Sequence, residues 1–382
     1  MDTLKIQDKC RGSVVGGAVG DALGYKVEFS SLHDIQQEYG PQGITRYALD
    51  HRGVAHFSDD TQMSLFTAEG LMNGVEVRQT DATVDLISTV QQSYINWYHT
   101  QCSTPHRLPN SWLCHVSVLW ARRAPGVTCL SSLQNLVAGY TLLNNSKGCG
   151  GVMRVAPVGL LGATHAERFA LESVMRLAGA AAEVTHHHIA STLSAALMGG
   201  VVARCMLEEH VDRGLLTAII HDCLFTLATC YPDQADARHG FASLILDAME
   251  LVDSDCTDTE GIEHLGEGWV GDEAIAIALF CVLRHIDDFE ACVVAAVNHS
   301  GDSDSTGAIA GNIIGAILGY AAIPNHYTIP LEVAPVLLAV ADDLMADMTD
   351  AEQRARIYQR YNKHLPEGID AAYLIEGREK KV

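Results

Sequence analysis

Two short stretches of the chain concentrate oxygen donors. Ser58, Asp59 and Asp60 are consecutive in FSDDTQMSLF, and far downstream Asp302, Asp304 and Ser305 stand together in SGDSDSTGAI. Each stretch opens an apolar periodic run, so each falls where a helix begins. Taken singly, either is explained by capping, because Ser and Asp are preferred at N-caps and satisfy the free N–H groups of a first turn. Taken together, they offer four carboxylates and two hydroxyls to one site, the oxygen-rich donor set that hard divalent cations take. Four aspartates gathered without a cation repel one another, and a pair of metal ions roughly 3.5–4 Å apart would relieve that repulsion. The tract HHH at 186–188 makes no such centre. Adjacent helical positions point about 100° apart, so three histidines in a row cannot converge on one ion.

The elements that must hold these residues read as helices. Apolar periodicity marks segments near 12–24, 60–73, 83–98, 155–162, 165–182, 189–207, 214–229, 240–251, 272–284, 288–297, 305–322 and 331–346. One weak alternating run, Ile44–Leu49, is the best strand candidate, and Ser254–Gly266 reads as a surface loop. With no Ser- or Pro-rich linker, residues 1–382 are expected to form a single all-α domain. Glycine recurs every fourth residue at Gly12, Gly16, Gly20 and Gly24, and again at Gly307, Gly311, Gly315 and Gly319. Ser191, Ala195, Gly199 and Ala203 give a milder version. A helical glycine costs about 1 kcal/mol against alanine, so these stripes predict helix backbones in close approach.

Composition narrows the function. The formal net charge is −22, from 47 acidic and 25 basic residues, which argues against a nucleic-acid partner and fits both solubility and a cation site. The 11 cysteines are scattered with no Cys-x-x-Cys pair, so neither a zinc framework nor a disulfide scaffold is expected, and a reducing cytoplasm is. MDTLKIQDKC lacks the apolar core of a signal peptide. The apolar run at 308–324 is short for a membrane span, carries Asn312 and follows two aspartates, so a buried helix is expected and no membrane partner.

Five blocks carry a resemblance: GSVVGGAVGDALGYKVEF, FSDDTQMSLFTAEGL, KGCGGVMRVAPVGLL, VTHHHIAS and NHSGDSDSTGAIAGNIIGAILG. In order, over residues 12–319, they resemble the signature blocks of the ADP-ribosylglycohydrolase family. The resemblance implies a compact, orthogonal multi-helix fold with a centre of two Mg2+ or Mn2+ ions. It implies hydrolysis of the N- or O-glycosidic bond to ADP-ribose on protein side chains, with arginine the first expectation. By motif, Ser58, Asp59 and Asp60 stand where the family has Thr-Asp-Asp ligands, and Asp302, Asp304 and Ser305 match its second ligand set, with Asp304 as the bridging carboxylate. Glu28, otherwise a solvated residue after a helix, becomes a candidate for placing water or the ribose, so that Glu28, Asp60 and Asp304 are the implied catalytic residues. Gly148, Gly150 and Gly151 resemble the family's diphosphate loop, while His186 and Trp269 would line the substrate cleft. Arg154 reads as structural. Some family members are immunity proteins that block ADP-ribosyltransferase toxins, and one lens crystallin relative has lost its metals. The intact aspartate set favours hydrolysis of an ADP-ribosylated protein substrate over both.

Overall fold

In the computed structural model, which describes residues 3–78, 83–103, 111–165, 169–346, 350 and 352, helices follow one another almost without a break. Among these residues there are sixteen. The first eight are α1 (Thr3–Gly24), α2 (Leu32–Tyr39), α3 (Asp59–Val77), α4 (Leu86–Cys102), α5 (Val127–Val137), α6 (Ala156–Thr164), α7 (Leu171–Glu183) and α8 (Ile189–Leu207). The rest are α9 (Arg213–Cys230), α10 (Ala235–Leu251), α11 (Asp258–Leu265), α12 (Gly271–Arg284), α13 (Phe289–Val297), α14 (Ser303–Leu318), α15 (Asn325–Thr328) and α16 (Ala334–Leu344). Among the described residues the arrangement is the expected all-α fold; residues 353–382 of the expected domain lie outside them.

The two glycine stripes meet each other. A Cβ added at Gly12 would lie 2.4 Å from the carbonyl oxygen of Gly315, one at Gly16 2.4 Å from that of Gly311, and one at Gly20 1.9 Å from that of Gly307. At Gly24 it would lie 2.3 Å from the carbonyl oxygen of Ser303, so α1 and α14 run antiparallel with their backbones in contact. Gly319 closes α14 as its C-cap at φ 85°, a left-handed conformation that glycine adopts without steric cost. The milder stripe works similarly, with Gly199 pressed between Gly159 of α6 and Ala178 of α7. The 308–324 run is the buried body of α14 and the turn beyond it, as expected.

Several elements differ from the sequence reading. Ile44–Leu49 is not a strand, and the β-pairing among the described residues consists of two isolated bridges, Ala55 with Leu331 and Gly148 with Val270. The alternation there reflects an irregular segment that buries Ile44 and ties its backbone to the Asn298 side chain. The polar stretch 254–266 contains α11, started by a capping box between Thr257 and Glu260 and seated on the core through Ile262 and Leu265. α2 and α15 are too short to show a period, and α5 (Val127–Val137) falls outside the segments the periodicity marks. The 305–322 segment is two elements, since Gly319 ends α14 before a 3-10 turn at Tyr320–Ala322. The start of the expected 165–182 helix includes residues 166–168, which lie outside the described residues.

The close approach makes a reversal of the usual glycine rule. Gly20→Ala should destabilise by about 2–3 kcal/mol, the scale of overpacking, because Cβ would strike a backbone atom. Gly240→Ala in α10, with nothing within 4 Å of the added carbon, should instead stabilise by up to about 1 kcal/mol. Urea denaturation of both variants checks this, and equal effects would remove the case for a helix contact that requires glycine.

Candidate active site

Because α1 and α14 are antiparallel, the C-terminal end of α1 lies beside the N-terminal end of α14. The chain leaving α1 therefore carries Glu28 up against Asp302 and Asp304. One carboxylate oxygen from each of the three lies within 4.8 Å of the others. The start of α3 is brought to the same place by Asp21, a wholly buried residue of α1. Its carboxylate accepts the N–H of Ser58 at 2.8 Å, the N–H of Thr61 at 2.9 Å and the Thr61 hydroxyl at 2.5 Å. One helix thus positions both acidic stretches.

Together they floor an open cleft of about 210 Å³ whose lining includes Glu28, Asp59, Asp60, Asp302, Asp304 and Ser305. Ser58 is wholly buried beneath it, its hydroxyl accepting the Asp60 N–H as the N-cap of α3. Asp59 accepts the N–H of Gly126 at 3.2 Å, and Asp304 accepts that of Ser305 at 3.0 Å. Asp302 accepts the Cys149 thiol at 2.7 Å. Glu28 Oε2 and Asp60 Oδ2 are buried with no hydrogen-bond partner among the described residues.

The opposite wall is built from loops that brace one another. Gly271 donates to the Lys147 carbonyl at 2.8 Å, Cys149 to that of Trp269 at 3.2 Å, and Asp302 to that of Glu267 at 2.8 Å. Gly148, Gly150, His186 and Trp269 line the cleft. Gly151 lies behind it, where an added Cβ would stand 2.2 Å from the Ser191 hydroxyl. Trp269 is 37% exposed and stacks on Phe29, itself 78% exposed, with ring centroids 5.6 Å apart, so an aromatic pair stands at the mouth. His187 and His188 turn away from the cleft: the Nδ1 atom of His187 accepts the Asn144 N–H and that of His188 caps α8. Arg154 is wholly buried, with its guanidinium 4.2 Å from the Tyr94 ring.

Several contributors escaped the sequence reading. Asp21 did leave a signal, as a carboxylate set within a glycine stripe that the packing must bury. Phe29 and Cys149 are neighbours of expected residues. Arg123 and Glu332 left none: their ion pair at 3.1 Å joins distant loops, and the Arg123 carbonyl accepts the N–H of Asp59 at 2.9 Å. Beside each partner sits a left-handed residue that is not glycine, Ala124 at φ 49° and Val333 at φ 47°. Such backbone persists only where surrounding contacts over-determine it.

Electrostatics sets these carboxyls apart. Burial, followed by the charges of Asp302, Asp59 and Asp21, pushes Glu28 up to about 8. Burial also raises Asp59 to about 8, against the opposing effect of the Gly126 N–H. Asp60 and Asp304 are driven well above the ordinary carboxylate range, first by burial and then by their acidic neighbours. Asp302 is raised mainly by burial. Two unpartnered oxygens among mutually repelling carboxylates form a donor set that divalent cations fit, since cations would satisfy the oxygens and cancel the repulsion.

The chain matches the ADP-ribosylglycohydrolase family over residues 2–354 and belongs to it. It is 25% identical over 337 residues to the ADP-ribosyl-[dinitrogen reductase] glycohydrolase of Rhodospirillum rubrum, covering 86% of this chain and 91% of that protein. It is 24% identical over 345 residues to the ADP-ribosylhydrolase ARH3 of Danio rerio, covering 84% and 86%. Among solved structures, an ADP-ribosylglycohydrolase-related protein complex superposes with a TM-score of 0.61 at 22% identity, over 90% of this chain and 98% of that one. Membership gives the class of reaction, hydrolysis at ADP-ribose, and confirms the fold expected from the signature blocks.

The raised carboxyls have a consequence for stability. Ordinary carboxyls titrate near about 4, whereas Glu28 and Asp59 are held near 8, so between these limits the cation-free fold binds more protons than the unfolded chain. Stability from these groups is full below the ordinary values and is lost as pH rises through the folded ones. Melting in EDTA should therefore show Tm falling from about pH 5 to pH 8, and Mg2+ should raise Tm more at pH 8 than at pH 5. A Mg2+ response that is equal at both values would contradict the cation fit.

Proposed function

We propose that this chain is a divalent-cation-dependent hydrolase that releases ADP-ribose from modified protein side chains, arginine before others. The observation that carries this reading is the convergence of Glu28, Asp59, Asp60, Asp302 and Asp304 on one cleft, with two carboxylate oxygens left unpartnered. Asp59, Asp60, Asp302 and Asp304, with the Ser58 and Ser305 hydroxyls, would hold two Mg2+ or Mn2+ ions. Such ions, when bound, polarise the sugar oxygens and acidify water.

The chain's own groups do the rest. Glu28 lines the cleft, and among the described residues its buried Oε2 has no partner, so its carboxyl would take a proton from the attacking water or return one to the departing side chain. Gly148 and Gly150 let a diphosphate approach the backbone closely, and Trp269 with Phe29 screens the mouth. A net charge of −22 favours a cationic leaving group in a basic neighbourhood, which supports arginine as the modified residue. All 11 cysteines are free, which supports work in a reducing cytoplasm.

The test is release of ADP-ribose from arginine- and serine-modified proteins, with Mg2+ or Mn2+ and with EDTA. Asp60→Asn and Asp304→Asn should each lower kcat/KM by about 10³-fold, several kcal/mol of transition-state stabilisation. Glu28→Gln, which keeps the side chain's shape and one oxygen, should lower kcat by a larger factor than it weakens cation binding measured by calorimetry. Release from arginine that is unaffected by EDTA would refute the cation dependence. No release from any linkage by the wild type would refute the hydrolase itself.

A further inference from the structure

The two nitrogens of His186 face different surroundings. On one side, Nδ1 lies 2.9 Å from the Thr185 hydroxyl. On the other, the Nε2 edge stands against the glycine loop, since a Cβ added at Gly148 or at Gly150 would lie 3.2 Å from Nε2. Thr185 is wholly buried and receives a hydrogen bond of 2.7 Å from Nη2 of Arg154. A guanidinium only donates, so the Thr185 oxygen is the acceptor in that bond. Its own proton needs an acceptor in a site closed to water, and His186 Nδ1 is within reach to take it. A neutral imidazole that accepts at Nδ1 carries its proton on Nε2.

Arg154 is itself pinned. Its second Nη2 contact is the Ala181 carbonyl at 3.2 Å, and Nη1 reaches the Met63 and Cys129 sulfurs at 3.3 and 3.5 Å. The direction of donation therefore cannot reverse without unpacking the core around α7. Burial, then the charge of Arg154 and then His187, lowers His186 to about 3, so the ring stays neutral.

We propose that Arg154 and Thr185 are positioning residues that hold His186 as its Nε2–H tautomer, giving the cleft a permanent, uncharged donor beside Gly148 and Gly150 for a substrate oxyanion. The identity of that oxyanion, the diphosphate of ADP-ribose, rests on the functional reading above; the tautomer does not. An uncharged donor suits a cleft that also gathers cations, because an imidazolium there would repel them.

Nitrogen-15 NMR of the histidine rings tests the tautomer directly, with the His186 signals identified by their loss in His186→Gln. The wild type should show Nε2 protonated and Nδ1 bare, and Thr185→Ser should keep that pattern. Thr185→Val, which removes the donor at nearly constant volume, should shift the ring toward the Nδ1–H form. It should also weaken ADP-ribose binding by about tenfold, the equivalent of one hydrogen bond. A protonated Nδ1 in the wild type would overturn the proposal even if Thr185→Val does not fold. So would an unchanged His186 pattern in a folded Thr185→Val. If ADP-ribose fails to bind the wild type while the Nε2–H pattern is present and shifts in Thr185→Val, the relay stands and the functional reading falls.

Discussion

The structure depends on the contact between α1 and α14. Helix axes ordinarily stay about 8–10 Å apart because side chains intervene, but here carbonyl oxygens sit where Cβ atoms would be. The contact holds two antiparallel helices in a fixed register, with Gly24 opposite Ser303 and Gly12 opposite Gly315. It fixes the α14 aspartates against the chain that leaves α1. It also fixes Asp21, whose three accepted hydrogen bonds set the position of α3. The conformational cost of so many helical glycines is offset by a placement that loops alone would not hold.

That rigidity is needed because the site opposes itself. Burial pushes every acidic member upward, and neighbouring charge adds to it at Glu28, Asp59, Asp60 and Asp304, so without cations the fold would favour separation or protonation. Helix packing supplies the restraint, and the free N–H groups at the starts of α3 and α14 offset part of the charge. Arg123 adds a second restraint from outside the helices. Its carbonyl holds the first N–H of α3, while its ion pair with Glu332 ties two loops that carry left-handed Ala124 and Val333. Of these two strained residues Ala124 lines the cleft and Val333 opens α16, and the mostly buried ion pair joins their neighbours.

Much of this arrangement was legible before any coordinates. The glycine stripes announced a backbone contact because glycine at every fourth position has little other physical use in a helix. The acidic motifs were legible because a cap and a ligand set use the same residue types at the same place. What stayed hidden was the partner of each piece. Nothing in the sequence states that Gly20 meets Gly307 or that Glu332 reaches Arg123, since such pairings are properties of the assembled helices. Short elements stayed hidden too: α11 has a clear capping box, but its eight residues are too few for a period to stand out from a loop. Ile44–Leu49 misled for the opposite reason, because a weak alternation of residue types also occurs in an irregular segment that one asparagine pins, burying Ile44 and leaving Leu49 exposed. The glycine loop was read as a whole, yet Gly151 serves helix packing while Gly148 and Gly150 face the cleft.

The two walls of the cleft are held by different physics, and this bears on what each can vary. The acidic wall is set by main-chain contact between helices, so one added methyl group at Gly20 or Gly311 would displace a carboxylate. The other wall is cross-linked loop to loop through main-chain bonds at Lys147 and Trp269 and joined to the acidic wall where Asp302 donates to the Glu267 carbonyl, with His186 lining it. Those bonds constrain backbones, whereas the Trp269 and Phe29 side chains at the mouth are exposed and have room to vary. On the proposed reading, a centre of this kind would keep its cation chemistry constant while its mouth is adapted to different modified side chains. Linkage preference should therefore follow the loop wall and the aromatic mouth, and the acidic wall should carry the reaction common to all of them.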